Sequence, residues 1–521
     1  MSRRPTTAAR VELRPASEWR VIHNDDATNN LGGLTTAEII RERIDFLAKV
    51  GVDALAWCTC SPDLCNYPTQ AGEWRAAAKR PAKRGSGQSW NWAYNMRKLV
   101  EEGNDPVDVM AARCHEHGMP FLGSIRMNDI HHIHAYRHVE NVTQFVLEHG
   151  EWCIRDGSGK VVGGMDYAVE GVRAHRLAIL QEQFERYEMD GLDLDFMRTP
   201  PFFQPGRERA GAAIMTEYVR SVREMLDETA KRKGRGRPIL GARVPTTLGA
   251  CEAAGIELSK WIGDRLLDYA CPSHGSKPDA NIPVEEFVKI AKGKGCGIFP
   301  TVQSNVAAQY DREVVQRLPH YRGLANNYFR FGAQGISTFN FMIGGIGTWH
   351  VKRHQGKWDM LREIHEPEEV GKRERRYSYD HQISPERFLT FDRTKDTGKR
   401  KAIPFRVAED FSDRSWRRWM RFKPNDLSVG DKIEIDVNGV SVTERLVSDF
   451  VFFMCDPPNS GRFCFDLEGT AARTGDNELG VTLVAANPEL EEWTPDYLGY
   501  AETLPVNPIF FTEIEIVVRR R

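Results

Sequence analysis

The stretch that decides the fold is Tyr187-Glu-Met-Asp-Gly-Leu-Asp-Leu-Asp-Phe-Met-Arg198, followed at once by Thr199-Pro200-Pro201. Leu192, Leu194 and Phe196 alternate with Asp193, Asp195 and Met197, so a strand here has one apolar face and one face that carries two carboxylates. A buried carboxylate without partners is costly, so that second face must meet water, cations or a dense hydrogen-bond network. The mouth of a barrel provides all three. Asp190-Gly191 before the strand and the double proline after it mark its ends. They place Asp195 and Arg198 at the C-terminal end, where parallel α/β folds carry out chemistry.

The same rhythm runs outward in both directions. Residues 19–26, 51–57, 120–126, 190–196, 239–244, 266–271, 297–302 and 335–341 read as strands, with helices expected over 35–50, 106–117, 169–188, 213–231, 284–294 and 312–332. Eight strand-helix units over about 350 residues predict a (β/α)8 barrel enlarged by loop insertions, one of them the basic, mobile stretch 75–88. An open doubly wound sheet is disfavoured, because no glycine-rich phosphate loop follows the first strand. Residues 1–17 read as a disordered tail and 18–372 as the barrel. After the charged linker 372–377 the helical period stops. Short alternating strands at 432–437, 450–455, 462–466, 478–484 and 512–518, separated by turns such as Asn438-Gly439, predict an all-β sandwich over 373–521.

Composition narrows the function. Of 521 residues, 71 are Lys or Arg and 73 are Asp or Glu, so no bulk field draws the chain to nucleic acid or to a membrane surface. No apolar run reaches the ~20 residues of a transmembrane helix. No signal peptide is visible, which leaves a cytoplasmic location or, if a leader has been removed, a periplasmic or secreted one. The ten cysteines have no paired metal spacing and read as buried free thiols. No cofactor is called for. Oligomeric state is left open, a homo-oligomer included.

Asp190-Gly-Leu-Asp-Leu-Asp-Phe196 on the fourth strand, Arg126-Met-Asn-Asp129 after the third, and the C-terminal sandwich together resemble the glycoside hydrolase superfamily, in particular its uncharacterised bacterial TIM-barrel members. The resemblance implies a jelly-roll-like sandwich, a carbohydrate substrate and hydrolysis by paired carboxylates. The strand-four motif is also similar to that of chitinases, whose closing glutamate is the general acid. Met197 stands in that place here, so that mechanism does not carry over.

Glycoside hydrolysis needs two carboxyl groups about 5–9.5 Å apart, one protonated and one ionised. Asp195 and Asp129, from adjacent strands ~4.8 Å apart, are the expected catalytic pair. Asp193, one repeat deeper, is a lesser catalytic candidate expected to raise the pKa of Asp195 by like charge. Substrate contacts are expected from His23, Asp25, Trp57, Arg126, Asn128, His132, Arg198, Arg243, His274, Gln303, Asn340 and Trp349, with Arg126 and Arg243 reaching the Asp193–Asp195 cluster. Two other readings stay open. Histidines and aspartates gathered at one mouth suit a metal-assisted sugar isomerase, aldolase or lyase. A barrel that lacks its acid suits carbohydrate binding without hydrolysis.

Overall fold

The computed structural model describes residues 12–27, 35–77, 87–130, 142–275, 278–303, 318–339, 341, 355–379, 389–449, 461–491 and 508–521. The eight expected strands are all present: β1 (Val21–Asp25), β2 (Ala54–Ser61), β3 (Phe121–Arg126), β4 (Gly191–Asp195), β5 (Ile239–Val244), β6 (Tyr269–Pro272), β7 in two pieces (Gly297–Ile298 and Thr301–Gln303) and β8 (Ile336–Phe339). Consecutive strands from β1 to β6 pair in parallel. The first piece of β7 pairs with β6, the second with β8, and β8 pairs with β1. The ring is therefore closed, and β7 is interrupted only at Phe299-Pro300, where proline has no N–H to give the ladder. This is a (β/α)8 barrel.

Helices Ala37–Lys49, Pro106–Glu116, Glu170–Arg186, Glu208–Arg232 and Val284–Ala291 occupy the expected connections. Their starts are chemically marked. Thr36 accepts from Ile39 N at 3.2 Å and Asp105 accepts from Val107 N at 3.1 Å, each satisfying an orphan donor of the first turn. Residues 12–17 do not form a disordered tail. Ala16–Glu18 is a 3-10 turn and Arg14 pairs with the buried Asp53. Residues 1–11 lie outside the described residues, as do 78–86 of the expected mobile insertion.

The chain forms two compact units, and the division is not linear. One holds 1–276, 282–304 and 332–365; the other holds 277–281, 305–331 and 366–521. Helix Leu318–Arg330, between β7 and β8 in sequence, belongs to the second unit, where Asn327 donates to Ala280 O (3.0 Å) and Arg406 O (2.8 Å).

The rest of the second unit is a sandwich of two antiparallel sheets, with two short helices, Pro367–Gly371 and Pro488–Glu491, beside the strands. One orders Arg375–Ser378, Ile509–Arg520, Trp416–Asn425, Arg462–Asp466 and Val447–Asp449, with Leu389–Phe391 also on Ile509–Arg520. The other orders Arg400–Val407, Gly475–Ala485, Lys432–Val437 and Val440–Ser441. Tyr379 and Phe405 meet between them with ring centroids 5.8 Å apart. Strands Arg400–Val407 and Trp416–Asn425 escaped the sequence reading because arginine occupies inward positions. Arg418 is buried, and its Nε binds Glu409 at 3.1 Å beside the Arg375–Glu409 pair. The expected strand 450–455 lies outside the described residues.

Candidate active site at the C-terminal mouth of the barrel

Register assigns the inward side chains. Residues paired across parallel strands share a face, so Asn24, Ala56, Ser124, Asp193, Gly241 and Tyr269 look inward, as do Arg126, Asp195 and Arg243 one repeat higher. The interior then sorts into tiers. Its floor is apolar: Trp19, Ile22, Ala54, Ala56, Leu122, Tyr269, Cys271 and Phe299 form one buried cluster.

Asp193 occupies the middle tier and is enclosed by donors. Tyr269 Oη and Ser124 Oγ donate to it at 2.8 Å each, and Asn24 Nδ2 donates at 3.2 Å. Tyr269 can reach it because position 241 is glycine. A Cβ at Gly241 would lie 1.9 Å from the Tyr269 ring. Burial first, and the neighbouring charge of Asp195 second, push the Asp193 carboxyl up from the ordinary carboxylate range. At 2% exposure, with three donors on two oxygens, it is built into the barrel wall.

The upper tier is ionic. Arg243 grips Asp195 with a two-pronged fork, Nε to Oδ1 at 2.8 Å and Nη2 to Oδ2 at 2.9 Å, while Nη1 reaches Ser273 Oγ at 3.1 Å. The guanidinium lies 3.6 Å from the centroid of the Phe339 ring. Met197 N donates to Asp195 Oδ1 at 2.9 Å, so both oxygens of Asp195 are acceptors. Arg126, the register partner of Asp195, turns instead to Asp129 (2.7 Å) and Asp26 (3.4 Å). Burial opposes its charge, but Cys58, Asp129 and Asp26 together outweigh burial and hold Arg126 above the ordinary arginine range. The expectation that both arginines serve the Asp193–Asp195 pair thus holds for Arg243 alone. Arg198 joins the tier 5.9 Å from the Phe339 centroid. Burial and the charge of Arg126 lower its pKa, while Asp26, Asp129 and Asp195 support its charge.

Several expected substrate contacts are placed elsewhere. His23, Asp25 and Trp57 belong to the opposite register set and face the helices. His23 Nδ1 lies 2.8 Å from Thr338 Oγ1, and its ring sits 6.3 Å from that of Trp358. Asp25 caps Ala27 N at 2.8 Å and supports the charge of Arg43 on the first helix. Trp57 is fully buried and in register with Asp25 and Gly123. Which face of a strand a residue takes is fixed by register with its neighbours, so the structure corrects the expectation that these three contact substrate.

Asn128 is also structural. Its Nδ2 donates to Pro201 O (2.8 Å) and Met165 O (3.2 Å), and its Oδ1 accepts from Arg176 (3.0 Å). The loop aromatics Tyr67, Phe202 and Phe203 are buried, so they shield strand ends. Gln303 Nε2 and Ser273 Oγ both donate to the carbonyl of His274, at 3.2 and 2.7 Å, which places His274 at the mouth by its backbone. His132, Asn340 and Trp349 lie outside the described residues.

Among the described residues no group of three His, Cys, Asp or Glu side chains could hold a metal ion, and no helix is long and apolar enough to cross a membrane. A groove of about 860 Å³, edged by Glu208, Arg209, Glu252 and Lys260, has none of these carboxylates among its lining residues. What the sequence reading undervalued is Asp26, which shares Arg126 with Asp129, and Tyr269, whose hydroxyl secures Asp193.

No protein-family model and no curated protein matches the chain. The solved structures it is similar to include glycosidases. Against α-L-fucosidase isoenzyme 2 of Paenibacillus thiaminolyticus the TM-score is 0.42 at 11% identity, covering 68% of this chain and 49% of that one. Against the α-galactosidase AgaB of Geobacillus stearothermophilus it is 0.37 at 12% identity, covering 90% and 55%. Against the α-galactosidase TtGalA of Thermus thermophilus it is 0.35 at 13% identity, covering 68% and 63%. The chain spans about half the length of the fucosidase and of AgaB.

Proposed function

We propose that the protein is a glycoside hydrolase that cleaves glycosidic bonds of an oligo- or polysaccharide at the C-terminal mouth of its barrel. The observation that carries this reading is the ionic upper tier. Asp195, Asp129 and Asp26 converge there with three arginines above a sealed apolar floor. Such a tier can position hydroxyls and stabilise an oxocarbenium-like transition state. Asp195 accepts hydrogen bonds on both oxygens, two of them from the Arg243 fork, so the carboxylate role, facing the anomeric carbon, falls to it. Asp129 is the acid. Sugar hydroxyls that draw Arg126 towards Asp26 release Asp129 to hold a proton for the leaving oxygen.

The test is turnover on a panel of aryl glycosides and polysaccharides, read as released phenol or reducing ends. Asp195→Asn and Asp129→Asn should each lower kcat by about two to four orders of magnitude with binding retained. Near-full turnover in both variants defeats the assignment. The pairing of each candidate carboxylate with an arginine favours a second reading, carbohydrate binding without hydrolysis. Retention on a glycan column with no reducing ends released would select it.

A further inference from the structure

Register brings one pair of nucleophilic side chains together outside the charged tier. After its barrel segment β2 turns back on itself: Cys60 pairs antiparallel with Cys65 and Ser61 with Leu64, around the turn Pro62-Asp63. Asn66 N donates to Thr59 O at 2.8 Å, which makes Thr59 and Asn66 a hydrogen-bonded rung. Rungs alternate, so Cys60 and Cys65 occupy the rung without backbone bonds, where Cα atoms approach to ~4.5 Å and side chains lie closest. That separation falls within the ~4.4–6.8 Å that a disulfide spans. The two Sγ atoms are 3.0 Å apart, and both residues are fully buried.

We propose that Cys60 and Cys65 form a reversible disulfide that closes this hairpin, whose turn residue Asp63 pairs with a support of the candidate active site. The oxidant is a low-molecular-weight disulfide such as glutathione disulfide. One protein thiolate attacks it and expels a glutathione thiolate, leaving a mixed disulfide. The second protein thiolate then attacks the protein-side sulfur and expels the other glutathione. The protein pair loses two electrons and two protons, and the oxidant leaves as two thiols. Burial pushes the Cys60 thiol well above its ordinary range, which keeps it protonated in the closed hairpin. Exchange therefore runs during folding or when the hairpin opens.

What the bond secures follows from the turn. Asp63 lies 3.3 Å from Arg176 Nε, and Arg176 in turn holds Met127 O at 2.6 Å and Asn128 Oδ1 at 3.0 Å, directly before Asp129.

The full-length protein is refolded from urea with or without glutathione disulfide, alkylated, cleaved before aspartate and weighed. The oxidised sample should be about 2 Da lighter before alkylation, as the loss of two hydrogens requires. Its fragment ending at Pro62 should stay joined to the one starting at Asp63 until reductant is added. Tm should rise by about 2–5 °C, since the closed loop is short and the chain large. Cys60→Ser and Cys65→Ser should each abolish the link and the Tm rise, and Cys58→Ser should abolish neither. Full alkylation of Cys60 and Cys65 after oxidative refolding, a link that survives Cys60→Ser, or a link that leaves Tm unchanged overturns the proposal.

Discussion

Arg243→Met tests the upper tier most directly. The substitution keeps apolar bulk against Phe339 but removes a two-pronged fork at 2.8 and 2.9 Å and a third bond to Ser273 at 3.1 Å. It leaves Asp195 2% exposed with no fork. Breaking a buried pair from one side costs about 3–5 kcal/mol, because the remaining charge is desolvated and uncompensated. Adding Asp195→Asn removes that charge, and the double variant should recover about 2–3 kcal/mol of the loss.

The assay is urea unfolding followed by far-ultraviolet circular dichroism at pH 7 and at pH 4.5. In the single variant the buried carboxyl binds a proton more tightly than it does in the unfolded chain, where its pKa is about 3.9. The folded state then carries more protons than the unfolded one, stability falls as pH rises, and the deficit should shrink on acidification. A single variant within about 1 kcal/mol of the parent at pH 7, or a double variant no more stable than the single one, refutes the reasoning.

Three further outcomes are expected. Gly241→Ala places a methyl 1.9 Å from the Tyr269 ring and must displace it from Asp193, so denaturant unfolding should report a loss of about 1–3 kcal/mol or more. Asn128→Ala forfeits bonds to Pro201, Met165 and Arg176, and a scaffold role predicts a loss of about 2–3 kcal/mol with KM for any cleaved glycoside unchanged. In the sandwich unit burial would raise the Glu515 carboxyl, but His320, Arg421 and Arg376 hold it at about 2, against 4.5 ordinarily. A depressed pKa stabilises above the unfolded value and is lost as pH falls through the folded one, so about 3 kcal/mol should drain away between pH 4.5 and 2. Glu515→Gln should flatten that part of the acid-unfolding curve, and an unchanged slope would count against the cluster.

The amino-acid sequence by itself determined the eight barrel strands and the all-β C-terminal region, because both rest on local periodicity. Two-residue alternation, glycine and proline punctuation and helix caps act over a few residues and need no partner to be recognised. It also singled out Asp193, Asp195 and Arg243, since an acidic strand face and an arginine inside a barrel demand each other's company. Only the tertiary structure decided which carboxylate meets which cation. Whether His23, Asp25 and Trp57 look into the barrel or out to the helices depends on β1 and β2 register, and a one-residue change of phase exchanges the two faces. The same holds for Arg126, which sits beside Asp195 in register yet bonds Asp129 and Asp26, because Arg243 already fills both oxygens of Asp195. The tier that carries Asp193 depended on Gly241 making room for the Tyr269 ring, a contact between residues 28 positions apart that no local pattern records. Local patterning thus specifies elements and their apolar faces. Long-range register and packing choose the hydrogen-bond partners, and those partners separate Asp193, enclosed by the neutral donors Tyr269, Ser124 and Asn24, from Asp195 and Asp129, each held by an arginine.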